Sequence, residues 1–528
     1  MTKRRKSPPD KAQALTENDV FKRSIILVLA CLACYINCLG CGFVFDDTSA
    51  IRDNKDILPS SPLANIFHND FWGIPMSKEQ SHKSYRPLCV LSFRLNYSLH
   101  GLEPLGYHLL NLILHMIVTI LFYNVSGNYV NAKTSYVASL LFAVHPIHTE
   151  AVTGAVGRAE LLSAIFFLVT LHLYNKSQDS RNLLLVFMAA FLAMLSKEVG
   201  VTVIGLCYVH ELLLKLNLHK YLLISIINPK LIEWRISLVT FTRLSLLTGS
   251  LASLLLFRIW LMQGASLPVF TRFDNPASHA DTVTKLLTFS YLPCFNTWLL
   301  LCPSQLCCDW TMGSIPLLQS ATDLRNLSII AASSILLLFI FTIMTSTDQC
   351  SKQILFSLAW MIIPFIPASN VFFPVGFVVA ERILYIPSMG FCLIVSLGLQ
   401  RIMKQCSNNI RNISQSLLYF LILSHSTKTI ARNFDWVDEQ SIFLSGLTVN
   451  QNNAKLYNNV GHALESNKKY QQALILFKEA AKVQPDDIGA HINIGRTLNF
   501  LERFIEAEIA YRLMLFTFIT FIFKLFGV

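Results

Sequence analysis

Long hydrophobic runs, separated by shorter polar stretches, dominate residues 24–431 of the chain. The first run covers residues 25–45, and a helix needs about 20 apolar residues to cross the hydrocarbon core of a bilayer. The pattern predicts an all-α polytopic membrane body with roughly ten to twelve spans. The other runs are centred near residues 115, 143, 166, 189, 206, 248, 293, 337, 363, 392 and 418.

Residues 432–513 have a different pattern, polar and helix-forming, with a period of 34 residues. The period and its small and aromatic positions are typical of tetratricopeptide (TPR) units, and Ala480 and Pro485 complete the first one. Stacked units of this kind form a concave groove that binds extended peptide. We therefore predict about two TPR units. Four positions recur at the fixed offset: Tyr457 and His491, Gly461 and Gly495, Ala473 and Ala507, and Phe477 and Tyr511.

The last stretch, residues 514–528 (MLFTFITFIFKLFGV), is apolar and replaces the rest of the second unit. It is short for a membrane span, which needs about 20 residues. A repeat array ordinarily ends in a polar terminal unit, which this tail is not. The sequence therefore predicts a truncated or alternatively ended chain.

Composition and charge support a membrane protein. Of the 528 residues 53% are hydrophobic and 14% are charged, which is too apolar for an ordinary soluble multidomain protein. The net charge of +11 is concentrated in part in the tail at residues 1–23. By the positive-inside rule this tail is cytosolic and the first run is a signal anchor. Membrane topology explains the charge better than a nucleic-acid partner does, so we expect none.

Cysteines fall mainly within the hydrophobic runs. Cys31, Cys34, Cys38 and Cys41 share one face of the first run. Their spacing also occurs in zinc and redox sites, but thiols packed inside a membrane helix explain it better. Three others lie in a predicted loop, where a disulfide is possible if the loop is lumenal: Cys302, Cys307 and Cys308.

Two long stretches, residues 46–106 and about 267–312, are candidates for the functional site. The first is too long for a simple connection between helices and is expected to be structured. It opens with Asp46 and Asp47, directly after the first run. One carboxylate at a membrane–water boundary can act as a general base while the other orients it. Interfacial solvation or a helix N-cap is the alternative reading of these residues.

Charged residues beside the hydrophobic runs form a second group of candidates. Lys197–Glu198 and Glu381–Arg382 are such pairs, and Arg86 lies in the polar segment SHKSYRP. Burial of charge in a membrane is costly, so these residues mark either function or ion pairs between spans. Adjacent residues on a helix point to different faces and need not pair with each other. Arginine and lysine near the membrane surface suit a phosphate group.

The segment HPIHTE contains His145, His148 and Glu150, which are possible metal ligands. Pro146 interrupts regular ligand spacing, so hydrogen-bonded interfacial histidines are the preferred interpretation. The sequence has no GxGxxG, Walker or zinc-finger spacing, and soluble nucleotide chemistry therefore lacks support.

Many segments, in order from about residue 43 to residue 512, resemble the family of transmembrane and TPR repeat-containing proteins. So many linked segments make the resemblance highly specific. They are FVFDD, NKDILPSSPL, NDFWG, SHKSYRPL, FAVHPIHTEAV, VGRAELLS, SKEVG, PVFTRFDNP, LCCDWTMG, FIPASN, FFPVGFVVAERILYIPSMGF and NNAKLYNNVGHALE.

The resemblance implies a protein O-mannosyltransferase of the endoplasmic reticulum (ER) membrane with a GT-C type body. It implies transfer of mannose from dolichyl-phosphate mannose to Ser or Thr hydroxyls, notably of cadherin domains. The family's paired acidic motif falls on Asp46 and Asp47, one of which would be the base of an inverting displacement. Arg86, Lys197 and Arg382, with Glu381 beside them, are then candidates for binding the lipid-linked phosphate. Nothing in the sequence requires a metal or cofactor.

The same resemblance implies lumenal repeats, which with a cytosolic N-terminus require an odd number of spans, and eleven satisfies both conditions. The principal alternative is a non-catalytic ER membrane adaptor whose repeats bind a partner protein. A transporter is a weaker alternative, because no inverted repeat is detectable.

Overall fold

The fold is all-α, as the sequence predicts. The computed structural model describes residues 16–177, 182–216, 237–262, 270–345 and 349–526. Within these ranges the regular structure is helical, and one isolated antiparallel bridge joins Asn69 to Pro75. Residues 1–15 of the basic tail lie outside the described residues.

The helices of eleven residues or more are numbered here in chain order. Those of the body are α1 (Glu17–Tyr35), α2 (Pro87–His100), α3 (Pro104–Ser126), α4 (Ala132–Val144), α5 (Arg158–Lys176), α6 (Leu183–Ser196), α7 (Leu238–Leu261), α8 (Thr282–Leu301), α9 (Arg325–Thr345), α10 (Gln349–Ile362), α11 (Pro387–Gln405) and α12 (Asn408–Asp435). Those that follow are α13 (Glu439–Val449), α14 (Ala454–Ser466), α15 (Tyr470–Val483), α16 (Ile488–Phe500) and α17 (Phe504–Phe526).

Among the described residues, six helical segments are long and apolar enough to cross a membrane. The apolar helices α4 and α6 have 13 and 14 residues, which is short for a straight crossing of about 20 residues. Six is fewer than the predicted number, and the total of eleven stays a prediction. The six segments are Glu17–Gly40, Pro104–Ser126, Ala155–Lys176, Leu238–Leu261, Arg325–Thr342 and Gln349–Ala368.

A core of aromatic and histidine side chains joins helices α3 and α4 to Tyr385, which lies just before α11. His115 Nδ1 lies 2.7 Å from the Tyr385 hydroxyl, and both rings contact Phe142. Helices α7 and α9 lie outside this core and expose large apolar side chains such as Leu256 and Leu337. Exposed apolar faces of this length suit contact with lipid.

The four cysteines of the first run are buried. Cys31 Sγ lies 3.6 Å from Thr119 Oγ1, and Cys41 Sγ lies 3.5 Å from the Asn433 carbonyl oxygen. The structure thus agrees with thiols packed inside the body. The cysteines near residue 305, which the sequence left open to disulfide formation, are free thiols: Cys302, Cys307 and Cys308.

The 34-residue period corresponds to two helix pairs, α14 with α15 and α16 with α17. In the first pair a Cβ atom on Gly461 would lie 2.5 Å from Phe477, and in the second a Cβ on Gly495 would lie 2.6 Å from Tyr511. The same close contact therefore recurs at the predicted offset. Helix α12 runs through the predicted boundary at residue 432, and α17 includes residues 514–526 of the apolar tail.

Candidate functional site

Asp47 is a buried side chain that fixes the chain where it leaves the first span. The preceding Phe45 has φ of +55°, in the left-handed region, which turns the chain sharply. Asp47 Oδ1 accepts a hydrogen bond from Val156 N at 2.8 Å, and Oδ2 accepts one from Val44 N at 3.3 Å. Burial raises the pKa of Asp47 to about 7, although these backbone donors oppose the shift. Its oxygens are thus committed to the local backbone.

Asp46 faces a cavity instead. Its Oδ2 atom lies 2.8 Å from Nη1 of Arg382, and its side chain is 24% exposed. The cavity has a volume of about 570 Å³, within the ordinary range for small-molecule sites. Of the two adjacent carboxylates, Asp46 is therefore the one that a substrate in the cavity can reach.

Arg382 joins Asp46 to two further carboxylates. Its Nε lies 3.4 Å from Glu150 Oε1 and 4.0 Å from Glu160 Oε1. Glu150 also accepts a hydrogen bond from the Arg382 backbone N at 2.9 Å. Burial opposes the charge of Arg382, but Asp46 and Glu150 outweigh burial and raise its pKa. The guanidinium thus orients two acidic side chains at the cavity wall, Asp46 and Glu150.

Lys197 continues this network away from the cavity. Its ammonium forms an ion pair with Glu160, and its side chain is 11% exposed. Burial lowers the pKa of Lys197, with Glu160 acting in the opposite direction. The positive charges of Arg86 and Arg382 both lower the pKa of Lys197. Lys197 therefore lies between the group around Arg382 and a second group around Arg86.

That second group consists of Arg86, Glu198 and Arg258. Glu198 Oε2 accepts a hydrogen bond from Arg86 Nε at 3.1 Å, and Glu198 Oε1 lies 3.7 Å from Arg258 Nη2. Burial would raise the pKa of Glu198, but the two arginines outweigh it and lower the pKa. Arg258 lies on α7, two residues from the exposed Trp260. The cluster therefore has two arginines for one carboxylate, beside an outward-facing membrane helix.

Glu381 faces a different part of the structure from its neighbour Arg382. Its Oε1 atom accepts from Cys307 N at 2.5 Å and from Trp310 Nε1 at 3.3 Å. Burial raises its pKa to about 8, although Arg432 opposes the shift. Both adjacent pairs, Lys197–Glu198 and Glu381–Arg382, thus take partners elsewhere in the chain, as the sequence argument allowed.

The histidines of HPIHTE make hydrogen bonds inside the body. His145 Nε2 lies 3.1 Å from the Leu300 carbonyl oxygen, and His148 Nε2 lies 2.8 Å from Ser388 Oγ. Glu150 points to Arg382. The arrangement agrees with hydrogen-bonded histidines, the preferred interpretation of this segment.

Several segments far apart in sequence form the cavity wall. They include both long polar stretches and the first repeat helix, α14, which contributes Lys455. The wall residues with ionisable acidic or basic side chains are Asp46, Asp53, His82, Glu150, Asp274, Asp309, Arg382 and Lys455.

The sequence argument identified only some of the charged residues of these two ionic groups and of the cavity wall. It singled out Asp46, Arg382, Lys197 and Arg86, all of which lie in the two adjoining ionic groups. It missed Glu160, Arg258, Asp309 and Lys455. Glu160 and Arg258 carry the same signal, a charge within a hydrophobic run, which could have found them. Asp309 and Lys455 carry no such local signal.

Comparison with known proteins finds strong similarity to one family. The family model described as "Protein O-mannosyl-transferase TMTC, DUF1736" matches residues 264–337. The chain is 50% identical to protein O-mannosyl-transferase Tmtc3 of Drosophila melanogaster over 92% of its length and 52% identical to human TMTC3 over 93%. It is also 37% identical to tmtc2 of Xenopus laevis over 85% of its length.

The chain spans only part of these relatives, covering 58% of the Drosophila protein, 54% of the human protein and 61% of the Xenopus protein. Among solved structures, ArnT from Cupriavidus metallidurans bound to undecaprenyl phosphate is similar with a TM-score of 0.41 and 10% identity. That similarity covers 83% of this chain and 80% of ArnT.

Proposed function

The chain belongs to the TMTC family of protein O-mannosyl-transferases, and on this premise we propose that it transfers mannose from dolichyl-phosphate mannose to Ser or Thr hydroxyls. The acceptors are lumenal or secretory-pathway proteins, with cadherin-type domains as the first class to test. The protein acts in the ER membrane, with a cytosolic N-terminus and lumenal repeats. The observation that carries the proposal is the Asp46–Arg382 ion pair at the cavity wall.

Asp46 is the general base of the proposed reaction. Its carboxylate faces the cavity, whereas both oxygens of Asp47 accept backbone hydrogen bonds. A base must lie within hydrogen-bond reach of the proton that it abstracts. Arg382 forms an ion pair with Asp46 and thereby fixes the direction of its carboxylate.

The transfer is a single displacement at the anomeric carbon. Asp46 accepts the proton of the acceptor hydroxyl while the hydroxyl oxygen forms a bond to that carbon. The bond between the carbon and the donor phosphate oxygen breaks, and the phosphate leaves with the electron pair. Because no covalent sugar–protein bond forms, the configuration at the carbon is inverted.

Arg86 and Arg258 bind the donor phosphate in this scheme. They share one carboxylate, Glu198, and so leave a positive excess that an anion can neutralise. Arg258 lies beside an apolar helix face, where a lipid-borne group arrives from the bilayer. Lys197 is engaged with Glu160, which assigns it to holding the network together.

The test is mannose transfer by the full chain in microsomes or proteoliposomes, from labelled dolichyl-phosphate mannose to a cadherin-type acceptor domain. Wild type transfers sugar, and Asp46→Asn lowers kcat by about 100-fold or more, the usual contribution of a general base. Asp53→Asn is the matched control, because Asp53 lines the same cavity but pairs with the exposed Arg52. It changes kcat by less than about twofold.

The phosphate assignment has its own measurement. Arg258→Met raises the KM for the donor by about tenfold or more, since a charge-assisted contact to phosphate is lost. The control is Arg401→Met, on the exposed side of α11. If wild type binds the acceptor but transfers no mannose, the chain is a membrane adaptor and the proposal is wrong.

A further inference from the structure

Lys455 is a residue of the repeat arm that reaches the proposed catalytic cavity. The repeat arm is defined here as helices α14 to α17. Lys455 lies in the first turn of α14 and lines the same cavity as Asp46 and Arg382. Its Nζ atom lies 5.7 Å from the ring centroid of Phe45, the residue that precedes Asp46. The arm thus contributes a cation next to the proposed base.

An ion pair and a helix cap hold this first turn against the cavity wall. Lys455 Nζ lies 2.8 Å from Asp309 Oδ2. Asn453 caps α14 by accepting from Lys455 N at 3.0 Å, and its Nδ2 donates to the Asp309 carbonyl oxygen at 3.3 Å. A Cβ atom on Gly313 would lie 2.9 Å from the Asn452 carbonyl oxygen, so the two segments touch closely.

Asp309 is the fixed member of the pair. Its side chain is 2% exposed, and Oδ1 accepts from Thr311 N at 2.8 Å and from Thr311 Oγ1 at 2.5 Å. Burial opposes its ionisation, but Lys455 and Thr311 outweigh burial and lower its pKa. Asp309 is therefore an ionised anchor in the wall, and it sets the position of the lysine.

Lys455 differs from its partner in exposure. Its side chain is 42% exposed, against 2% for Asp309. An ammonium has three N–H donors, and an ion pair with one carboxylate oxygen engages one of them. The exposed part of Lys455 can therefore donate to a ligand while Asp309 holds it in place. Arg382, in contrast, is enclosed by Asp46 and Glu150.

We propose that Lys455 binds the acceptor polypeptide, donating to a main-chain carbonyl or a carboxylate next to the reacting Ser or Thr. This inference rests on the proposed function. The donor phosphate is assigned to Arg86 and Arg258 beside α7, whereas Lys455 enters from the repeat arm. In a single displacement the acceptor and the leaving phosphate occupy opposite faces of the sugar carbon. Lys455 therefore belongs to the acceptor side and links repeat binding to catalysis.

Two substitutions separate contact with the acceptor from a merely structural ion pair. Lys455→Met removes both the ion pair and the cavity cation, whereas Asp309→Asn removes the ion pair and leaves the cation. We expect Lys455→Met to raise the acceptor KM by about tenfold, as for loss of one charge-assisted hydrogen bond. We expect Asp309→Asn to raise it by less than about threefold, because the amide oxygen can still accept a hydrogen bond from the Lys455 ammonium and keep it at the cavity. The donor KM stays within about twofold in both.

Two further variants complete the set. Lys455→Arg keeps the charge and recovers most of the acceptor affinity. Lys482→Met is the control, because Lys482 is an exposed lysine of the next repeat helix, paired with Glu479. It leaves both KM values within about twofold of wild type.

Binding of an immobilised acceptor segment, measured without transfer, separates this inference from the proposed function. Wild type that binds the segment more tightly than Lys455→Met, yet transfers no sugar, contradicts the proposed function alone. Equal binding by the two proteins contradicts this inference alone. Acceptors with acidic flanking residues changed to amides identify the contact. If wild type and Lys455→Met then bind the changed acceptor equally, Lys455 contacts an acceptor carboxylate. If the difference between them persists, Lys455 contacts a main-chain carbonyl.

Discussion

The carboxylates of Asp46 and Asp47 are adjacent in sequence and have different partners. Asp46 Oδ2 lies 2.8 Å from Nη1 of Arg382 at the cavity wall, whereas Asp47 accepts hydrogen bonds from two backbone N–H groups. Asp47 ties the loop after α1 to the segment before α5. Because Asp46 directly precedes this anchored residue, its position is fixed as well, and its side chain lies at the cavity wall. On the proposed function, Asp46 therefore acts in the reaction, whereas Asp47 positions the loop that carries it.

This division predicts opposite effects for the two amide variants. Asp47→Asn lowers the free energy of unfolding by about 1–3 kcal/mol, since the amide nitrogen cannot accept the second backbone N–H. Asp46→Asn costs less stability, because Arg382 keeps its contact with Glu150, and it lowers kcat by about 100-fold or more. Thermal unfolding in detergent, together with kcat at saturating substrates, measures both. If Asp46→Asn unfolds more easily while Asp47→Asn folds normally and is inactive, the assignments are reversed.

Arg382 is predicted to act through geometry as well as charge. Its Nη1 and Nε contact different carboxylates, Asp46 and Glu150, which a lysine ammonium cannot bridge in the same way. Arg382→Lys therefore lowers kcat by about tenfold with little change in the donor KM. The matched control is Arg325→Lys, which alters an Arg–Asp pair with Asp323 outside the cavity wall. Equal kcat for Arg382→Lys and wild type would contradict the orienting role.

The helical organisation could be predicted from sequence because its signals are local. Hydrophobic runs reveal candidate spans within about 20 residues. The repeat is visible because Gly461 and Phe477 recur together as Gly495 and Tyr511, and the structure places each glycine against its aromatic partner. Span number is less accessible, because short apolar helices such as α4 do not reach the length that defines a crossing.

The site could be predicted only in part because its partners are distant in sequence. The hydrophobic pattern places Asp46 and Arg382 beside predicted spans, but the contact between them depends on the fold. The different burial of Asp46 and Asp47 depends on Val156, which no local pattern connects to them. Lys455 lies in a polar helix, where an exposed lysine is ordinary. Its place in the cavity wall depends on the docking of α14.

The repeat arm offers a test of packing. Gly461→Ala destabilises the arm by about 1–3 kcal/mol, because the new Cβ would lie 2.5 Å from the Phe477 ring. The control is Gly398→Ala in α11, where a Cβ would have no neighbour within 4 Å. That change is neutral or stabilising, since alanine favours a helix by about 1 kcal/mol over glycine.

Limited proteolysis of the full chain, with cleavage sites mapped to the arm, measures the effect of Gly461→Ala. Adding Phe477→Leu, which shortens the opposing side chain, restores part of the protection. The same protection in Gly461→Ala and wild type would show that the ring moves aside without cost.

Glu381 predicts a pH dependence of stability. Burial raises its pKa from the ordinary 4.5 to about 8, so the folded protein retains a proton that the unfolded chain releases between these values. The stabilisation is therefore fully present below about pH 4.5 and falls as the pH rises to about 8. Glu381→Gln stays neutral and still offers one oxygen to Cys307 N and Trp310 Nε1. The variant should accordingly lose less stability than wild type over this range, with a difference in Tm shift of about 5 °C or more. The measurement is the Tm of both proteins at several pH values between about 4.5 and 8. The same change in Tm with pH for both would mean that Glu381 is charged in the folded protein.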